Sequence, residues 1–125
     1  MKKTIVLITF LSLAMCLMSL LCIHQTQINI ISPKVNALYK TGQIVDIHVQ
    51  LKCEEKLKTV VLEITQQDGK ILLSKKPNTD GKRNSEEKMT WKIPMSDPSV
   101  LTLSVNATDE DGHRSSKVVQ FNANF

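Results

Sequence analysis

The sequence predicts an all-β domain made of two packed layers of short strands. Three observations carry that expectation. Apolar and polar residues alternate with a period of two through nearly every segment after the leader. Turn-forming residues punctuate those segments, and no apolar pattern of helical period occurs beyond the leader. Successive side chains of a strand point to opposite faces, so each alternating segment has one face for a core and one for water. Several short strands between turn signals argue for a sandwich or a small barrel. A chain of 125 residues is one domain on size, long enough for a single two-layer core. Aromatic residues are only 4% of it, so aliphatic and β-branched side chains must fill that core.

The first element is a leader. Met1-Lys2-Lys3 is followed by an uncharged, mostly apolar run from Thr4 to Ile23. About 20 such residues can span a bilayer as a helix, whereas a secretory apolar core usually has ~7–15. Three outcomes are open. Ordinary signal peptidase would find no good pair of small residues before a plausible cut. The run can stay as an uncleaved anchor helix. In the third outcome Cys22 becomes an acylated N-terminus. That arrangement resembles bacterial lipoprotein export: paired lysines, an apolar stretch, a cysteine, then a short polar tether. It departs from the usual motif in that Ser19-Leu20-Leu21 precede Cys22, where small residues are preferred. Leu13-Ala14-Met15-Cys16 is a second imperfect match, and cleavage there would leave Leu17 to Leu21 exposed. Lipidation at Cys22 ranks first and a retained anchor second. The expected organisation is a leader or anchor at 1–22, a tether at 23–26 and the folded domain at 27–125. Each outcome attaches or delivers the domain outside the cytoplasm.

The strands follow in order. Gln27 to Ile31 is a short strand halted by Ser32-Pro33, since proline donates no ladder hydrogen bond. Val35 to Tyr39 can continue an edge on the other sheet, and Thr41-Gly42 is a turn. Gln43 to Cys53 alternates most cleanly, with Val45, Ile47, Val49, Leu51 and Cys53 on one parity. Cys53, the only thiol inside the domain, therefore reads as a buried, inert small hydrophobe. His48 falls on the wet parity with Asp46 beside it, and reads as an exposed strand histidine. Leu57 to Gln66 is the next strand, with Val60, Leu62 and Ile64 inward. Asp68-Gly69 suits a type I′ hairpin turn before Ile71-Leu72-Leu73 returns. Ser74 to Lys88 has no apolar residue except Pro77 and reads as a mobile loop, because it buries too little to offset its ordering entropy. Met89, Trp91 and Ile93 form a short inward-facing series ended by Pro94, which makes Trp91 a core plug rather than a stacking platform. Last comes a hairpin. Leu101, Leu103, Val105 and Ala107 face in, Asp109-Glu110-Asp111-Gly112 turns, and Val119, Phe121 and Ala123 face in again.

Chemistry is sparse. Of the formal charge of +4, two units belong to Lys2 and Lys3, leaving +2 scattered over the domain. That balance does not argue for a nucleic-acid partner. His24, His48 and His113 have no zinc-ligand spacing, the four glycines form no phosphate loop, and no nucleophile elbow occurs. No catalytic residue is expected. The candidate site is the acidic turn Asp109-Glu110-Asp111, a possible calcium site. Calcium takes ~6–8 oxygens, however, and three consecutive acids supply two or three.

Several stretches together resemble the bacterial immunoglobulin-like domains of envelope lipoproteins. They are Ile30-Ile31-Ser32-Pro33, Gly42-Gln43-Ile44-Val45-Asp46-Ile47, Leu57-Lys58-Thr59-Val60, Asp68-Gly69 and Trp91-Lys92-Ile93-Pro94. Leu103 to Gly112 supplies the last, with the Ala-Thr-Asp-x-Asp-Gly ending common in such domains. Fibronectin type III and cadherin modules share this look. The resemblance implies a Greek-key sandwich of about seven strands in the cell envelope, with no catalytic residues to carry over. It implies a non-catalytic binding or structural module, membrane-attached through its N-terminus, with a protein or glycan partner. The other expectations weighed are a calcium-dependent adhesion module using Asp109, Glu110 and Asp111, and a small envelope enzyme or enzyme inhibitor.

Overall fold

The computed structural model describes residues 26–95 and 98–125. The leader, Cys22 and His24 lie outside the described residues. Eight strands are present: β1 (Gln27–Ser32), β2 (Leu38–Lys40), β3 (Ile44–Lys52), β4 (Leu57–Gln66), β5 (Ile71–Lys75), β6 (Asn84–Lys92), β7 (Ser99–Asp109) and β8 (Arg114–Asn124). They form two sheets, ordered β1-β3-β6 and β2-β8-β7-β4-β5. The chain passes from one sheet to the other after β1, β2, β3, β5 and β6, which is Greek-key sandwich topology. The eighth strand is the three-residue β2, which runs parallel to β8 at the sheet edge.

The alternation places the core where the sequence puts it. Val45, Ile47, Val49 and Leu51 from β3 meet Val60, Leu62 and Ile64 from β4, and Leu101, Leu103, Val105 and Ala107 from β7. Phe121 and Ala123 of β8 complete the layer, with the Tyr39 ring edge-on to Phe121 at 5.7 Å. Full burial of such a side chain is worth about 1.5–3 kcal/mol, and a one-residue slip in any strand would turn its set outward. Cys53 is a free thiol, 4% exposed, at the end of the β3 parity. Trp91 is half-buried and packs against the core cluster.

Three local expectations need correction. The stretch from Ser74 to Lys88 is not a loop throughout: β5 extends to Lys75, and β6 begins at Asn84. Nine residues of β6 pair with β3 in unbroken antiparallel register. The ladder orders this polar segment, and burial need not. Between the strands, Gly81 N–H donates to the Leu57 carbonyl, Leu57 N–H to Lys82 and Cys53 N–H to Arg83, fastening the connection over the 53–57 turn. Second, the Asp68-Gly69 turn is not type I′, which needs left-handed backbone at both central residues. Only Gly69 is left-handed here (φ +91°). Gly69 N–H donates to the Gln66 carbonyl and Gln66 N–H to that of Lys70, a three-residue loop that spares Asp68 the Cβ clash. Third, Thr26, assigned to the tether, is buried. Its N–H donates to Ser115 Oγ at 3.2 Å and its hydroxyl meets Cys53 Sγ at 3.3 Å.

Candidate functional site

The acidic turn does not gather its three carboxylates. Asp109 continues the inward parity of β7 and is 0% exposed, whereas Glu110 and Asp111 are exposed. One Asp109 oxygen accepts the His113 backbone N–H at 2.9 Å, and the other faces His113 Nδ1 at 3.2 Å. The carboxylate thus closes its own hairpin, in which Gly112 N–H donates to the Asp109 carbonyl and Asp109 N–H to that of His113. Among the described residues, no group of three His, Cys, Asp or Glu side chains is placed to hold a metal ion. Sequence reasoning placed Asp109 with its acidic neighbours. The signal against that was its parity, shared with Leu101 through Ala107.

A different surface has the makings of a site. The outer face of the three-stranded sheet carries the wet parities of β1, β3 and β6, and the register lines them up in rungs. Gln27, Lys52 and Asn84 form one rung; Asn29, Gln50 and Glu86 form the next. His48 then stands between Ser32 and Lys88. Neighbours along a rung are about 4.8 Å apart, and successive rungs are about 6.7 Å apart. The first two rungs line a shallow depression of about 510 Å³, and Asp46, His48, Lys88 and Thr90 border a second of about 320 Å³.

Between the two depressions lies a charged cluster. His48 Nε2 contacts Glu86 Oε1 at 2.5 Å, and Lys88 Nζ lies 3.4 Å from the same oxygen. The hydrogen bond with His48, helped by Lys88, lowers the Glu86 carboxyl below its ordinary range. The partner of His48 is thus on the neighbouring strand and is not Asp46. By contrast, the side chains of Gln27, Asn29, Gln50, Lys52 and Asn84 make no hydrogen bond or ion pair among the described residues. Sequence reasoning missed this surface because Asn84 and Glu86 stood inside the supposed loop. The available signal was confined to the second half of the strand, where Lys88, Thr90 and Lys92 alternate with Met89 and Trp91.

No protein-family model matches the chain, and no curated protein matches it in sequence. Solved structures do match. The fibronectin(III)-like modules of Clostridium thermocellum CbhA superpose with a TM-score of 0.52 at 16% identity, over 78% of this chain and 96% of that one. The fold is immunoglobulin-like. The CARDB domain of the Pyrococcus furiosus PF1109 protein, solved in complex with di-metal ions, shares this immunoglobulin-like sandwich. It has a TM-score of 0.50 at 7% identity, over 81% of this chain and 89% of that one. Spo0M, a sporulation control protein of Bacillus subtilis, gives 0.53 at 10% identity over 81% of this chain, which spans 49% of that protein. Identities this low establish likeness of fold alone.

Proposed function

We propose that this immunoglobulin-like domain is a non-catalytic binding module, held at the bacterial cell envelope by its N-terminal segment. Its recognition surface is the outer face of β1, β3 and β6. One observation carries the reading: that face presents several polar side chains that bond to nothing in the domain, over a shallow depression. Asp109 and His113, by contrast, are engaged with each other in their own turn. The attachment is argued from the basic, apolar leader and Cys22. Four residues, five Cα-to-Cα steps, separate Cys22 from Gln27, so a lipid on that cysteine would hold the first rung within about 18 Å of the headgroups.

Two measurements test the proposal. A photo-crosslinking residue at Gln50 in the full chain, in native membranes, gives a discrete adduct, and the same residue at Ser104 on the opposite sheet does not. Equal labelling from both positions, or none from Gln50, contradicts it. Intact mass of the mature protein from membranes shows acylated Cys22 as the first residue. A mass that retains Lys2–Ile23 replaces lipidation by an uncleaved anchor, and a soluble, unmodified product removes the attachment.

A further inference from the structure

The depression on the three-stranded sheet also has a chemical character. Its lining holds four side-chain amides, from Gln27, Asn29, Gln50 and Asn84, together with Lys52 and Glu86. Each amide carries an acceptor oxygen and two N–H donors side by side, which matches a ligand dense in hydroxyls, themselves both donor and acceptor. A protein partner is a poorer fit. Protein interfaces centre on desolvated aromatic and large apolar anchors. The one apolar lining residue here, Leu51, is 2% exposed and belongs to the core.

Charge narrows the class further. Glu86 is engaged by His48 and Lys88, so its charge is met within the protein. Lys52 stands between Gln27 and Asn84 with no ion pair among the described residues. The unmatched charge in the depression is therefore one ammonium, flanked by amides. Building on the binding-module reading, we propose that this depression takes an acidic oligosaccharide. Lys52 meets a carboxylate of one sugar ring, and the amides of Gln27, Asn29, Gln50 and Asn84 meet the hydroxyls of that ring and the next. The rung spacing is of the order of one sugar ring, so neighbouring rings address neighbouring rungs.

Calorimetric titration of the full chain in detergent micelles tests this, with tetragalacturonate as the acidic probe and maltotetraose as the neutral one. The acidic tetramer binds in the millimolar range or tighter, and its affinity falls as salt is added. Lys52→Gln lowers that affinity about tenfold, the loss of one charge-assisted hydrogen bond, and leaves neutral binding as it was. Asn29→Ala with Gln50→Ala weakens both. Ser104→Ala changes nothing. All these side chains face outward, so unchanged melting temperatures confirm that each variant is folded. Equal affinity for the two sugars, insensitivity to Lys52→Gln, or no binding to either overturns the proposal. If Gln50 crosslinks in membranes to a protein and neither sugar binds, the binding-module reading stands and the glycan is wrong. If Gln50 crosslinks to nothing and neither sugar binds, both fall.

Discussion

Asp109 makes a sharp test of how the last hairpin is held. Its carboxylate is 0% exposed and both of its oxygens face His113. Asp109→Ala removes the acceptor for the His113 backbone N–H, a bond to a charged group worth about 1.5–3 kcal/mol. The second contact, to a ring that is 53% exposed, adds little, because water replaces it at small cost. The expected loss is about 2 kcal/mol. For a domain of this size that lowers Tm by about 8–16 °C. Asp109→Asn keeps one oxygen in place for the backbone N–H, so it costs about half as much. Differential scanning calorimetry at neutral pH reads both. If Asp109→Ala melts within about 2 °C of the parent, the carboxylate does not hold the turn, and its desolvation cancels its bonds.

Four further expectations follow from other positions. Leu103→Ala, at a fully buried site, costs about 2–5 kcal/mol, whereas Val118→Ala on the wet face of β8 stays within about 0.5 kcal/mol by urea denaturation. Gly42→Ala costs about 1–2 kcal/mol, because its φ of +81° strains any side chain. Adding Met95→Ala, which clears the sulfur that the new Cβ would strike, does not restore the stability. Glu86 has its carboxyl lowered on folding, so the stability it contributes is present above the unfolded-state value and is lost as pH falls through the folded one. A Glu86→Gln variant should therefore melt slightly below the parent at neutral pH and converge with it in acid, with the gap shrinking in high salt. Millimolar calcium should leave Tm unchanged, since the Asp109 oxygens are turned to His113; a rise would mean that the native state binds the ion.

The fold was legible wherever one side of a strand is oily. β3, β4, β7 and β8 announce themselves by alternation, and Cys53 could be assigned to the interior by parity alone, whereas Trp91, on a core parity, is only half-buried against the cluster. The reading failed where order comes from the backbone. The first half of β6 is polar on both faces, so its composition looks like a loop, and only the nine-residue ladder with β3 reveals it as a strand. The candidate site suffered from the same cause. Rungs across β1, β3 and β6 exist only once register is known, and register depends on a strand that hydrophobic pattern could not supply. Asp109 shows the converse: its parity was visible, but its acidic neighbours drew attention to charge.

The measurement that bears most directly on the binding face is an amide chemical-shift map of the full chain in micelles, titrated with tetragalacturonate. Shifts that grow with ligand at Gln27, Asn29, Gln50, Lys52 and Asn84, with Thr102, Ser104 and Val118 silent, are the predicted result. Shifts centred on the five-stranded sheet, or a spectrum unmoved at saturating sugar, would contradict it.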